Sequence, residues 1–199
     1  MQQAGGFLAG LLTGGGAMLA VAAGLLGLRA VVPAPVPGGV DPRHLLFTNP
    51  LFMLGIVTLE ELFFRSFLVG WVSQRTSVAA GVALSVAVDY LLHVPNGGQT
   101  FLTFVNSVLF SLSACLFYLR LGLGAAVGFH YGWNLVQWTL LGFPMYGNAV
   151  GRWFVLKPVG AWWLTGASHG PEGSLLTGLV FGAGLLLWLT VLSRRLPMP

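Results

Sequence analysis

Six apolar stretches, each close to the ~20 residues that a helix needs to cross a bilayer, constrain this chain more than any other feature. They run from Gly6 to Val32, Leu46 to Val72, Ser77 to Val94, Thr100 to Tyr118, Leu121 to Phe143 and Ser174 to Leu192. Only 7% of the 199 residues are charged and 56% are hydrophobic, with a mean hydropathy of +0.83. A soluble globular domain has roughly one-quarter charged residues. The expectation is an all-α, polytopic transmembrane helix bundle of about six spans. Little is left outside the lipid, so one domain is expected over residues 1–199, with a motif core at 50–143, an interfacial loop at 144–173 and a last span at 174–193.

Span one has no basic region ahead of it and is too long for a cleaved secretory signal, so it reads as a retained helix. Its small residues, Gly14, Gly15, Gly16, Ala17 and Ala20, allow close helix packing. A lone Cys115 rules out an intramolecular disulfide framework and a cysteine metal site, and reads as a packing residue. The net charge of +4 is spread over span ends without a basic run, which makes nucleic acid an unfavourable partner. Orientation stays open: Arg65, Arg75, Arg120, Arg194 and Arg195 fall on one side, and Arg29, Arg43, Arg152 and Lys157 on the other.

Punctuation places the elements. Pro33 to Arg43 reads as a loop, because its prolines remove backbone donors. Asn49 and Pro50 mark a helix start, with the helix running through Glu60 to about Ser73. Thr76-Ser77 can cap span three, and Pro95-Asn96-Gly97-Gly98 ends it just after His93. Arg120-Leu121-Gly122 is a tight connection to span five. The long segment from Gly142 to Gly173 carries Arg152, Trp153, Lys157, Trp162 and Trp163, a mixture suited to the headgroup region, as an interfacial segment or a lid.

Ionisable residues inside apolar spans are expensive, roughly 2.5 kcal/mol or more each at a helix centre, and are kept there for a partner or a function. Glu60 and Glu61 stand in one such run with Arg65. Residues i and i+4 share a helix face, so Glu61 can pair with Arg65 while Glu60 points elsewhere. Glu60 is then a free carboxylate able to act as a general base, with Glu61 and Arg65 as its scaffold. The plainer alternative is a structural ion-pair cluster. On span five, His130 and Asn134 share a face and can donate two hydrogen bonds to one point, as an oxyanion requires; they can equally be interhelical glue. His93 has Asp89 one turn before it, which can accept from the imidazole and fix its tautomer. His44 and His169 fall in loops and read as solvated. Glu60, His93 and His130, on three helices, could surround one water, with Asn134 adding to the oxyanion site: peptide hydrolysis inside a membrane.

These motifs resemble those of the CPBP family (CAAX protease and bacteriocin-processing, or Abi), intramembrane proteases related to the Ras-converting CAAX endopeptidase. Glu60-Glu61-x-x-x-Arg65 resembles the family's EExxxR, Asp89-x-x-x-His93 its FxxxH, and His130-x-x-x-Asn134 its HxxxN, in the same order. The stretch from Leu164 to Gly173, followed by a last span, is similar to the tail of many bacterial members. The resemblance implies that Glu60 activates water, that His93 assists it and that His130 and Asn134 form the oxyanion site. Glu61 and Arg65 would support them. Asp89 departs from the family's Phe and is a supporting candidate. The implied substrate is a peptide or membrane-anchored protein, and the implied setting is a bilayer, with a bacterial cell membrane suggested by the preference for Arg over Lys. No cofactor is expected; the alternative is zinc held by Glu60, His93 and His130 with an open water position. The competing functions are a non-catalytic membrane binding or bacteriocin-immunity module on the same fold, and a proton-coupled carrier, which would call for inverted repeats that this sequence lacks.

Overall fold

A computed structural model describes residues 2–35, 50–146 and 155–192. The Asn49 cap, His44, Arg152, Trp153 and the Pro33–Arg43 loop beyond residue 35 lie outside the described residues. The architecture is an all-α helical bundle. Its helices are α1 (Gln2–Gly27), α2 (Pro50–Glu61), α3 (Val78–His93), α4 (Phe101–Leu121), α5 (Leu123–Asn134), the short α6 (Trp162–Thr165) and α7 (Leu175–Leu187). Among the described residues, three helical segments are long and apolar enough to cross a membrane, Gly5–Gly27, Val78–Asn96 and Phe101–Leu121, and Leu175–Thr190 is a shorter apolar helix.

Local chemistry sets the ends. Ser77 accepts from the Ala80 amide at 3.1 Å to start α3. Thr100 and Thr103 exchange side-chain and backbone hydrogen bonds to start α4. Gly122, at φ +85°, makes the break between α4 and α5.

The helix from Pro50 runs to Ser73 as expected, but its winding changes to a π-helix at Leu62–Trp71, directly after Glu61. Likewise α5 changes at Leu135–Leu140, directly after Asn134. Such windings cluster at functional sites, and residue preferences do not announce them. In the first of them, Phe63 stacks on Phe67 and Phe67 on Trp71. One expectation is corrected, that of Pro33 in a loop. Val31–Pro33 is a strand, β1, paired antiparallel with β2 (Leu156–Pro158). The partner lies more than a hundred residues away, so local sequence gives no sign of it.

The closest packing in the bundle joins α1 to α5. A Cβ on Gly10 would run into the Ala125 carbonyl, and one on Gly14 into the Phe129 carbonyl. From the other side, a Cβ on Gly128 would meet Phe7 O, and one on Gly132 would meet Leu11 O. This is backbone against backbone, the arrangement small-xxx-small spacing permits in membranes. The expected small-residue stripe is therefore only partly used, since nothing lies within 4 Å of a Cβ on Gly16. Gly128 and Gly132 flank His130 in sequence, so the seam fixes the helix that carries it. Next to it, Phe110, Phe129, Trp133 and Phe181 form an aromatic core.

Candidate active site

The motif side chains converge from α2, α3 and α5 into one polar network. Arg65 lies at its centre, 1% exposed, and Glu61 beside it is fully buried. Arg65 Nε is 3.2 Å from Glu61 Oε2, an ion pair lying off hydrogen-bond alignment. Its Nη1 donates to Asp89 Oδ2 at 3.1 Å, and its Nη2 reaches Ser111 Oγ at 3.2 Å. Ser111 in turn donates to Asp89 Oδ2 at 2.9 Å.

Each imidazole is anchored to this network through Nδ1. His130 Nδ1 donates to Glu61 Oε1 at 2.8 Å. His93 Nδ1 is 2.7 Å from the Asp89 carbonyl and 3.3 Å from Asp89 Oδ1. A continuous chain therefore runs His130–Glu61–Arg65–Asp89–His93. Asp89, where the family motif has Phe, is the link between the arginine of the first motif and the histidine of the second.

Removing the central cation should be severe. Arg65→Gln would leave two buried carboxylates without their shared partner, and breaking a buried pair in this way costs about 3–5 kcal/mol. The expected result is a large drop in the unfolding midpoint in detergent, measured beside wild type.

Glu60 stands apart from the chain and is 33% exposed, with its Oε2 3.7 Å from His130 Nε2. It faces a cavity of about 170 Å³ lined also by His93, His130 and Asn134. A second cavity of about 60 Å³, enough for a few waters, lies behind it against Asp89, Asn106 and Phe110. A groove on the outer side, bordered by Leu59, Glu60, Phe63, Leu92 and His93, opens between α2 and α3. All four predicted catalytic side chains thus border one cavity.

Tyr146 and Glu172, which the sequence reading passed over, line both cavities together with His93, His130 and Asn134. The Tyr146 ring sits between His93 and His169, with centroids at 5.6 and 4.9 Å. Burial keeps its phenol well above the ordinary range and hence neutral. His169, expected in a solvated loop, is buried at 7% exposure. The segment folds back under the bundle, and burial lowers the His169 pKa.

Among the described residues, no three His, Cys, Asp or Glu side chains form a group able to hold a metal.

Residues 42–136 match the family described as Type II CAAX prenyl endopeptidase Rce1-like. That interval contains Glu60, Glu61, Arg65, Asp89, His93, His130 and Asn134, the residues brought together above. Over that interval, a little under half of the chain, the protein resembles the CPBP/CAAX protease family. No curated protein and no solved structure matches the chain. That family match, together with the long apolar helices, supports an integral membrane protein of the CAAX-protease-like endopeptidase class. Tyr146 and Glu172 fall outside the matched interval.

Proposed function

We propose that this protein is an intramembrane endopeptidase that hydrolyses a peptide bond of a membrane-associated protein or peptide without a metal. The observation that carries this reading is the juxtaposition of Glu60 Oε2 and His130 Nε2. The two atoms are 3.7 Å apart, too far for a direct hydrogen bond and suited to a bridging water. In this reading Glu60 takes a proton from that water as its oxygen adds to the scissile carbonyl. Asn134 Nδ2 and His130 Nε2 donate to the resulting oxyanion. Because Nδ1–H of His130 is committed to Glu61, donation from Nε2 requires the imidazolium form. His93, held by Asp89, assists from the rim between the groove and the cavities.

A substrate anchored in the bilayer matches the exposed apolar rim of the groove, where Leu59 and Leu92 are more than half exposed. The test is cleavage of a quenched-fluorescence peptide panel, prenylated and unprenylated, by purified wild type and Glu60→Gln, each with and without chelator. Turnover that is lost in Glu60→Gln and indifferent to chelator is expected. Turnover abolished by chelator would overturn the metal-free mechanism, and full activity in Glu60→Gln would overturn the assignment of the base.

A further inference from the structure

We infer that Glu172 is a second catalytic carboxyl, the acid that protonates the leaving amine when the scissile C–N bond breaks. This rests on the peptidase reading above and adds a residue that none of the three motifs contains.

Placement is the first argument. The backbone around Glu172 is clamped from α4: Asn106 Nδ2 donates to the Glu172 carbonyl at 2.6 Å and to the Ser174 carbonyl at 2.8 Å. Thr177 Oγ1 donates to the Pro171 carbonyl at 2.6 Å. Gly170 begins the turn at φ +95°, where a side chain would strike the Pro144 carbonyl and crowd Glu172 Oε2. A turn held by side chains from two helices and closed by an obligatory glycine fixes the backbone from which this carboxyl reaches both cavities.

Chemistry is the second. Glu172 Oε2 is buried and has no hydrogen-bond partner. A carboxylate oxygen left so would incur a large desolvation penalty, whereas a carboxylic acid is tolerable there and carries a proton to give. Burial raises the pKa to about 7, against hydrogen bonding to the carboxyl from its own backbone amide, Gln137 and Trp133 and against the charge of His93. The titratable groups facing the same space are Glu60 from α2, Asp89 and His93 from α3, His130 from α5, and Tyr146 and His169 from the long connection.

The step balances. Glu60 takes one proton from water and the hydroxyl joins the carbonyl carbon. The tetrahedral intermediate collapses, the C–N bond breaks with its electron pair on nitrogen, and nitrogen takes the proton of Glu172. The proton on Glu60 then restores Glu172 through the water-accessible cavity, and the products are a carboxylic acid and an amine. Two carboxyls with separate duties, one collecting a proton and one delivering it, follow when their surroundings differ in polarity.

The experiment uses the full-length protein in detergent, the peptide from the panel that wild type cleaves fastest, and its depsipeptide counterpart with an ester at the scissile bond. An alkoxide leaves with less help than an amide nitrogen. Glu172→Gln should lower kcat on the peptide about 100-fold, a usual contribution of general-acid catalysis, and leave depsipeptide turnover within about threefold. In wild type, peptide turnover should decline above about pH 7 relative to depsipeptide turnover, because water activation is common to both. This wild-type comparison stands even where the variant fails to fold. Equal losses on both substrates, peptide turnover in Glu172→Gln within about threefold of wild type, or parallel wild-type pH profiles would overturn the assignment. Wild type that hydrolyses neither substrate overturns the peptidase reading and this one together. Turnover lost in Glu60→Gln and retained in Glu172→Gln overturns this one alone.

Discussion

Glu60→Gln should yield a folded bundle whose peptide turnover is lower by about a thousandfold, within the range for removing a positioned general base. The split between stability and activity follows from where Glu60 sits. It is one-third exposed and lies outside the Arg65 network, touching His130 only at 3.7 Å. Amide replaces carboxylate with the same shape, so the chain from His130 through Glu61 and Arg65 to Asp89 and His93 keeps every partner. Glu61→Gln is the contrast, because Glu61 is fully buried and holds both Arg65 and His130. That variant should lose stability and activity together. Unfolding midpoints and kcat measured in parallel on the two variants separate the roles. A Glu60→Gln protein within about tenfold of wild-type kcat would sink the base assignment.

The largest effect on folding is expected at the glycine seam. Gly132→Val places a branched side chain where even a single Cβ would collide with the Leu11 carbonyl and the Gly15 amide. Backbone cannot rotate out of the way as a side chain can, so α1 and α5 must separate. Overpacking costs about 1–3 kcal/mol where side chains can yield, and this contact offers none that can. The expected outcome is a protein that fails to fold or elutes as aggregate on size exclusion, with His130 displaced in any fraction that survives. Gly16→Ala is the control: its Cβ meets nothing within 4 Å, and wild-type stability is expected. A monodisperse, active Gly132→Val would refute the seam.

The bundle was legible because its signals are local or compositional. Apolar length gave the helices, Ser77 gave the start of α3, and Pro95 gave its end. The spacing of Glu61 and Arg65 gave their shared face. What escaped was long in sequence: the Glu61–His130 hydrogen bond joins residues 69 apart, and the pairing of β1 with β2 spans more still. The π-helical turns after Glu61 and Asn134 have no signature in residue preference. Glu172 goes unmarked in the sequence, and His169 reads as solvated, for a related reason. A Gly- and Pro-rich segment reads as a surface connection, whereas here its glycines let the backbone fold tightly enough to enter the core. The Gly-Pro-Glu-Gly sequence around Glu172 was the available signal, an acidic residue held between obligatory turn positions.

The β1–β2 pairing gives α1 an influence out of proportion to its chemistry. That helix contributes no side chain to either cavity, yet its glycines hold the His130 helix. The strand that follows it grips the connection leading to Glu172, with Ala30 O accepting from the amides of Val159 and Gly160. Two walls of the cavity, distant from each other in the chain, are thus moored to one N-terminal hairpin-like anchor. A cut between α1 and β1 should therefore loosen the histidine wall from the connection that carries the carboxyl wall, and activity measured on the nicked protein should fall although no motif residue is touched.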